Sequence, residues 1–188
     1  MTGDSDRADR QRNLPIYWFN KASDIRAAAG AVWVAIQEDK PDPQLGLPDG
    51  FSMSAACPLV YRMLCGQALE LCLKAVIVAK HEKPKHTHQL EKLSQQAGVS
   101  YDERCMGLLR VLSDAIIWMG RYPIPSGTDD QMQEKYISAS AAIDSALFDR
   151  KTLGNIAILS PNLALDWIGF GHLWDLASQE YWQHHRDG

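Results

Sequence analysis

The stretch Leu64–Leu93, LCGQALELCLKAVIVAKHEKPKHTHQLEKL, decides the fold. Up to His81 it is apolar nearly all the way round, with Leu, Val, Ile, Ala and Cys broken by one narrow polar line. At about 100° per residue of α-helix, Gln67, Glu70, Lys74 and His81 fall within an arc of roughly 60°. A helix so wrapped in apolar side chains belongs at the centre of its domain. A Glu and a Lys on such a helix form either a matched structural pair or the floor of a site.

Working outward, every segment with a clear period has the helical one. Trp18, Ala22, Ile25, Ala29, Val32, Trp33 and Ile36 make one face of a helix over about Tyr17 to Gln37. Pro41 to Gly50, PDPQLGLPDG, reads as a loop. The central helix then runs from about Ala55 or Pro58 to His81, with Pro84 as its terminator. Thr87 before His88-Gln89-Leu90-Glu91 reads as an N-cap with an acid in the first turn, and that short helix stops near Gly98. Asp102 to Met119 carries the stripe Cys105, Leu108, Leu109, Leu112, Ile116, Met119, with Gly120 placed as its C′ residue. RYPIPSG cannot continue a helix. Asp129 to Leu147 repeats the pattern through Met132, Tyr136, Ala139, Ile143 and Leu147. After a connector, Ser160 and Pro161 read as cap and first turn of an aromatic helix over 161–183, whose face is Trp167, Phe170, Trp174 and Tyr181. No segment shows convincing strand alternation. The expected fold class is all-α, a bundle of about five to six helices.

The 188 residues suffice for one buried core, so 15–188 reads as a single helical domain behind a disordered tail, 1–14, of alternating charges without a signal-peptide core. No apolar run reaches the ~18 residues of a membrane span. Net charge is −4, so any grip on nucleic acid must be local. The densest basic stretch is Lys80–His88, with Lys80, Lys83, Lys85 and three histidines against Glu82. Cys57, Cys65, Cys72 and Cys105 contain no Cys-x-x-Cys and read as reduced thiols of a cytoplasmic protein.

WFNKASDIRAAAGAVW (Trp18–Trp33), CGQALELCLKAVIV (Cys65–Val78) with its Glu-x-x-x-Lys, HTHQLEKL (His86–Leu93) and GRYP (Gly120–Pro123), in this order and spacing, resemble the HEPN superfamily. The resemblance spans roughly 17–147. It implies a compact helical bundle of the kind found in prokaryotic defence and toxin–antitoxin systems and beside minimal nucleotidyltransferases. The family's ribonucleases use an Arg followed four to six residues later by a His at a dimer interface. Here Arg104 is followed by CMGLLRV, Arg110 by VLSDAII, Arg121 by YPIPSGT and Arg150 by KTLGNIA, and Arg26 and Arg62 lead into helix without a histidine. The resemblance is therefore to the branches that lack the ribonuclease pair.

Each candidate site residue has a plain structural alternative. Glu70, four residues ahead of Lys74, is in the favourable orientation for a helical pair, and is a brace or the orienter of a phosphate-binding Lys74. His88, in the first turn behind the Thr87 cap, hydrogen-bonds back to Glu70 or Lys74 of the central helix or acts as a general base. His81, His86 and His88 with Glu82 sit among three lysines, a poor host for a divalent cation, so no metal is expected. Arg121 and Tyr122, in a rigid turn, bind a phosphate and stack a base or hold the turn to the bundle. The aromatic C-terminal face is core or subunit interface. No phosphate loop or nucleophile–base pair calls for a cofactor or names a reaction.

The combined expectation is a binding or regulatory module for nucleotide, RNA or a nucleotidyltransferase-type or toxin–antitoxin-like partner, homodimeric and not a ribonuclease. Its ligand candidates are Gln67, Glu70, Lys74, His88, Arg121 and Tyr122, with Lys80, Lys83, Lys85 and His86 as a basic turn. The rivals are an enzyme of unassigned chemistry acting on a phosphate-bearing ligand over Glu70 and Lys74, and a purely structural interaction protein.

Overall fold

A computed structural model describes residues 13–153, 156–162 and 164–186. Most of the expected tail, 1–14, lies outside the described residues. Helix α1 (Pro15–Glu38) starts with proline at its first position, where a missing N–H costs nothing, and ends on Asp39 in the left-handed region, φ 45°. The Asp39 carboxylate then accepts from Ser54 N (2.8 Å) and Ser52 Oγ (3.0 Å), tying the loop to the four-residue helix α2 (Met53–Ala56). Helix α3 (Pro58–Ala79) follows, then α4 (Leu90–Ala97), α5 (Glu103–Asp114), α6 (Asp129–Leu147) and α7 (Trp167–Arg186). The architecture is a helical bundle, and α3 is its centre: α1, α4, α5 and α7 all lie against it.

The physical reason is the composition of α3. Cys65, Ala68, Leu69, Cys72, Leu73, Ala75, Val76 and Ile77 are fully buried, and they point in all directions, so every side needs a neighbour. Gly66 lets α5 approach closely, because a Cβ there would come within 2.9 Å of Leu112 O and 2.8 Å of Ile116 Cγ1. The thiols of Cys65 and Cys72 are held in their neutral form by burial, Cys65 being pushed up to about 12.

Several local expectations are corrected. The central helix ends at Ala79, two residues short of the expected His81, so its stop is made before Pro84 is reached. Helix α4 begins at Leu90, so His88 precedes it. Thr87 Oγ1 accepts from Gln89 N (3.1 Å) in a turn of its own, and the buried Ser113 hydroxyl takes the Leu90 N–H instead (2.9 Å). Asp102 caps α5 as its N-terminus requires. The helix then widens over Ala115–Met119, where Gly120 N bonds Ala115 O five residues back. Gly120 has φ −87° and is not a left-handed C′ residue. It is small because Met63 Cβ would lie 2.5 Å from any Cβ placed there.

The largest correction concerns the connector after α6. Phe148–Leu153 (β1) and Ile156–Pro161 (β2) form an antiparallel hairpin. Ser160 and Pro161 are thus strand residues, and Asp166 caps α7 through its Oδ1 to Gly169 N (2.7 Å). The strands lack a buried face, so they lack alternation; only Gly154-Asn155 between them signals a hairpin in the sequence.

The C-terminal aromatic stripe is core. Phe170, Trp174 and Tyr181 are buried, and Phe19 of α1 stacks on Tyr181 with centroids 4.1 Å apart. The Arg26 guanidinium lies between the rings of Trp167 and Trp174, 5.5 and 5.0 Å from their centroids. These side chains fasten α7 to α1, and they are not surplus surface awaiting a second subunit.

Candidate functional site

The polar features of the centre converge where α3 ends. Lys80 caps the helix, His81 adopts φ 60°, His81 N bonds Val78 O (2.9 Å) and Glu82 N bonds Ile77 O (3.0 Å). This is a Schellman stop with histidine in the place usually held by glycine. The chain is then turned back by Gln96 of α4, whose Nε2 donates to Lys83 O (2.9 Å) and whose Oε1 accepts from Lys85 N (3.1 Å). The turn's backbone is clamped, and the side chains of Lys83, Lys85 and His86 stay exposed.

Lys80 behaves differently from its neighbours. Its Nζ donates to Ala97 O and to Glu180 Oε1, both at 2.6 Å, so it braces α3 to α4 and α7. Burial pushes the Glu180 carboxyl up, but hydrogen bonds and charge from Lys80, with His184 at 3.1 Å, outweigh that and hold it below its ordinary value.

Glu70 is the hub beneath the turn. It is 6% exposed, and both oxygens are used: Oε1 accepts from Lys74 Nζ at 2.6 Å and Oε2 meets His88 Nδ1 at 2.9 Å. The pair therefore satisfies the bonding requirement of a buried carboxylate, while the His88 side chain stays more than half exposed. Gln67 sits one turn earlier on the same line, half-buried.

Lys74 also lines a hollow of about 790 Å³ between the start of α1 and the basic turn. Trp18 and Val78 supply apolar wall. Lys83, Lys85, His81 and His86 supply cationic or hydrogen-bonding groups, with Glu82 the acid among them. Mobile ammonium groups on long stems, around an apolar wall, suit an anionic group carried on a flat or apolar body.

Arg121 and Tyr122 are not brought to this hollow. They engage each other, Arg121 Nη2 donating to Tyr122 OH at 3.1 Å with the guanidinium 5.1 Å from the ring. Gly120 packs on Leu59 and Met63, and Met63 is eleven residues before Lys74, about 16 Å along the axis. A second hollow, of about 400 Å³, lies among α4, α5 and α6. There Glu91 accepts from Arg110 Nε (2.7 Å), and burial together with the Glu91 charge raises the Asp114 carboxyl.

Gln96, Ser113 and Glu180 were not singled out from the sequence. Their contacts with Lys85, Leu90 and Lys80 respectively span eleven or more residues of chain, so local spacing does not reveal them. Ser113, a hydroxyl on an otherwise apolar stripe, was the one that carried a signal.

No curated protein and no solved structure shows a match to the chain. A family model described as the HEPN domain matches residues 61–146, from the first turn of α3 to the last of α6. The match takes in Glu70, Lys74, the clamped basic turn and Gly120–Pro123, and it leaves α1 and α7 outside. With a helical bundle centred on α3 and the order of motifs preserved across that stretch, residues 61–146 carry a HEPN domain.

Proposed function

We propose that this HEPN domain is a binding module for a phosphate-bearing ligand, a nucleotide or an RNA end, seated in the hollow over Lys74 and the basic turn. One observation carries the reading: the clamped turn presents Lys83, Lys85 and His86 towards the same hollow that Lys74 reaches from the central helix. Lys80 and Arg121 are engaged elsewhere and are not part of it. A homodimer, and a nucleotidyltransferase-type partner that shares the ligand, complete the reading.

The test is calorimetric titration with inorganic pyrophosphate, a nucleoside monophosphate and a short single-stranded RNA. Lys83 and Lys85 are exposed, so replacing both with Ala should leave the melting temperature unchanged and weaken binding at least about tenfold, the loss of two charge-assisted contacts. Binding should weaken with salt, since exposed charges are screened. No detectable binding by the wild type at millimolar ligand would overturn the proposal. RNA should survive incubation in EDTA, because no Arg here has a His at the ribonuclease spacing; cleavage removed by His88→Ala would overturn that part.

A structural reading is favoured by one contact: Lys74 already spends its ammonium on Glu70. It predicts that Lys74→Ala damages stability and that pyrophosphate does not bind.

A further inference from the structure

Away from the hollow over Lys74, helices α4, α5 and α6 enclose the second cleft, of about 400 Å³. Each helix gives it two side chains four residues apart, which one helical face presents together. These are Glu91 and Gln95 from α4, Arg110 and Asp114 from α5, and Ser138 and Ala142 from α6. The wall between α4 and α5 is fixed twice. Ser113 Oγ accepts from Leu90 N (2.9 Å) while donating to Leu109 O (2.7 Å), and Glu91 Oε1 accepts from Arg110 Nε (2.7 Å). Directly after Asp114 the helix widens over Ala115–Met119, and Ile117 of the widened turn lines the cleft, 40% exposed. Such π turns are rare and recur at functional sites.

Two acids, Glu91 and Asp114, and two cations, Lys92 and Arg110, line this cleft. Glu91 and Arg110 meet through Nε alone. Among the described residues, the Arg110 Nη groups, the Lys92 ammonium and the Asp114 carboxylate have no hydrogen bond or ion pair. Asp114 is half-buried, and its carboxyl is pushed up first by burial and then by the Glu91 charge. A carboxylate so placed is relieved by a cationic hydrogen-bond donor, and neither cation of the cleft pairs with it.

We propose that this cleft binds a small zwitterion, an α-amino acid with a short aliphatic side chain. Its ammonium group donates to the Asp114 carboxylate, and its carboxylate accepts from the Nη groups of Arg110, with the Lys92 ammonium beside them. Its side chain lies against Ile117 and Ala142. A guanidinium held at Nε by Glu91 keeps its Nη edge for a carboxylate, a two-pronged contact that lysine does not make. Arg110 and Asp114 stand one helical turn apart, about 5–6 Å between Cβ atoms, a span that the amine and carboxylate of one α-carbon bridge. The lining has both signs in equal number, so an ion of a single sign leaves one pole unmatched and a molecule with both satisfies each. The volume lies near the lower end of the roughly 300–1,000 Å³ of small-molecule sites, which suits a ligand of this size. No residue of the cleft lines the hollow over Lys74, so the inference stands apart from the phosphate reading.

Calorimetric titration of the full chain with glycine, L-alanine, L-valine and L-leucine tests it. At least one should bind with a Kd at or below about 1 mM. Its single-pole analogues, the amine without the carboxylate and the acid without the amine (isobutylamine and 3-methylbutanoate for valine), should bind at least about tenfold more weakly. Asp114→Asn keeps the shape of the half-buried group, so the melting temperature should hold or rise while amino-acid binding weakens at least about tenfold. Arg110→Gln should weaken binding of the amino acid and not that of the bare amine. The Lys83→Ala, Lys85→Ala double variant should bind the amino acid as the wild type does, and Asp114→Asn should bind pyrophosphate as the wild type does. No binding of any of the four amino acids overturns the proposal. An amine that binds as tightly as its amino acid, or equal affinity in Asp114→Asn, also overturns it. Loss of amino-acid binding in the double lysine variant overturns its placement in this cleft. Failure of the wild type to bind pyrophosphate bears only on the hollow.

Discussion

The seam between α1 and α7 and the carboxyl end of α3 handle positive charge in opposite ways. In the seam, Arg26 is enclosed by Trp167 and Trp174, and its Nε is buried without a hydrogen-bond partner. The rings compensate it, and the helix gains a rigid attachment. At the end of α3, the backbone of the turn is clamped by Gln96 while Lys83 and Lys85 reach into solvent beside a hollow. Where the fold needs a cation it encloses or pairs it, as Lys80 also shows with Ala97 and Glu180. On the reading proposed above, a turn held this firmly with its ammonium groups left outside presents them to a ligand.

The comparison breaks if the seam proves soft or the end proves rigidly structural. Phe170 is fully buried, and Phe170→Ala should cost about 3–5 kcal/mol from lost burial and the cavity left behind. Chemical denaturation would read this as a lowered midpoint with the slope unchanged. A loss below about 1 kcal/mol would mean that α7 is not part of the cooperative core.

Lys74→Ala should cost less, about 1–3 kcal/mol. The buried Glu70 loses one charged partner and keeps His88 on its other oxygen, so the penalty stays under the ~3–5 kcal/mol of a buried charge left alone. The same denaturation experiment, paired with pyrophosphate titration, separates a site from a brace. A loss as large as that of Phe170→Ala would make the end of α3 as structural as the seam.

His81→Gly should go the other way. A histidine at φ 60° carries strain that glycine does not, and its removal should raise stability by about 1 kcal/mol. His81 also lines the hollow, so the gain should come with weaker pyrophosphate binding. A more stable variant that binds equally well would show the histidine to be incidental.

The smallest effect concerns acid. The folded Glu180 carboxyl titrates below its ordinary value, so its contribution is present above that value and is lost as pH falls through the lower, folded one. Glu180→Gln should therefore flatten the decline in melting temperature below about pH 4.5 and leave the Phe170→Ala deficit unchanged. An identical decline in both proteins would exclude this brace from acid sensitivity.

How much of this was legible depends on the range of each interaction. The central helix, α1, α5 and α6 were readable because their stripes repeat locally, and α6 has the expected limits, Asp129–Leu147. The hairpin was not, because Phe148–Pro161 buries no face and therefore carries no period. The limits of α3 and α4 were misplaced because a clash-based stop at Pro84 and a cap at Thr87 were sound local options. They lost to a left-handed His81 and to Ser113, twenty-three residues from Leu90.

The sequence by itself determined the helical class, the central place of α3, the HEPN order of motifs and the Glu70–Lys74 pair, since all of these follow from spacing along one helix or one short stretch. Only the tertiary structure decided which cations are free. Lys80 and Lys83 are three residues apart and chemically alike, yet one is bound to Glu180, a hundred residues on, and the other opens on the hollow. It also decided that the aromatic stripe of α7 is spent on Phe19 and Arg26, and that β2 is left with an uncovered edge. Side-chain satisfaction is a property of neighbours in space, and the chain sets those neighbours only once its helices have packed.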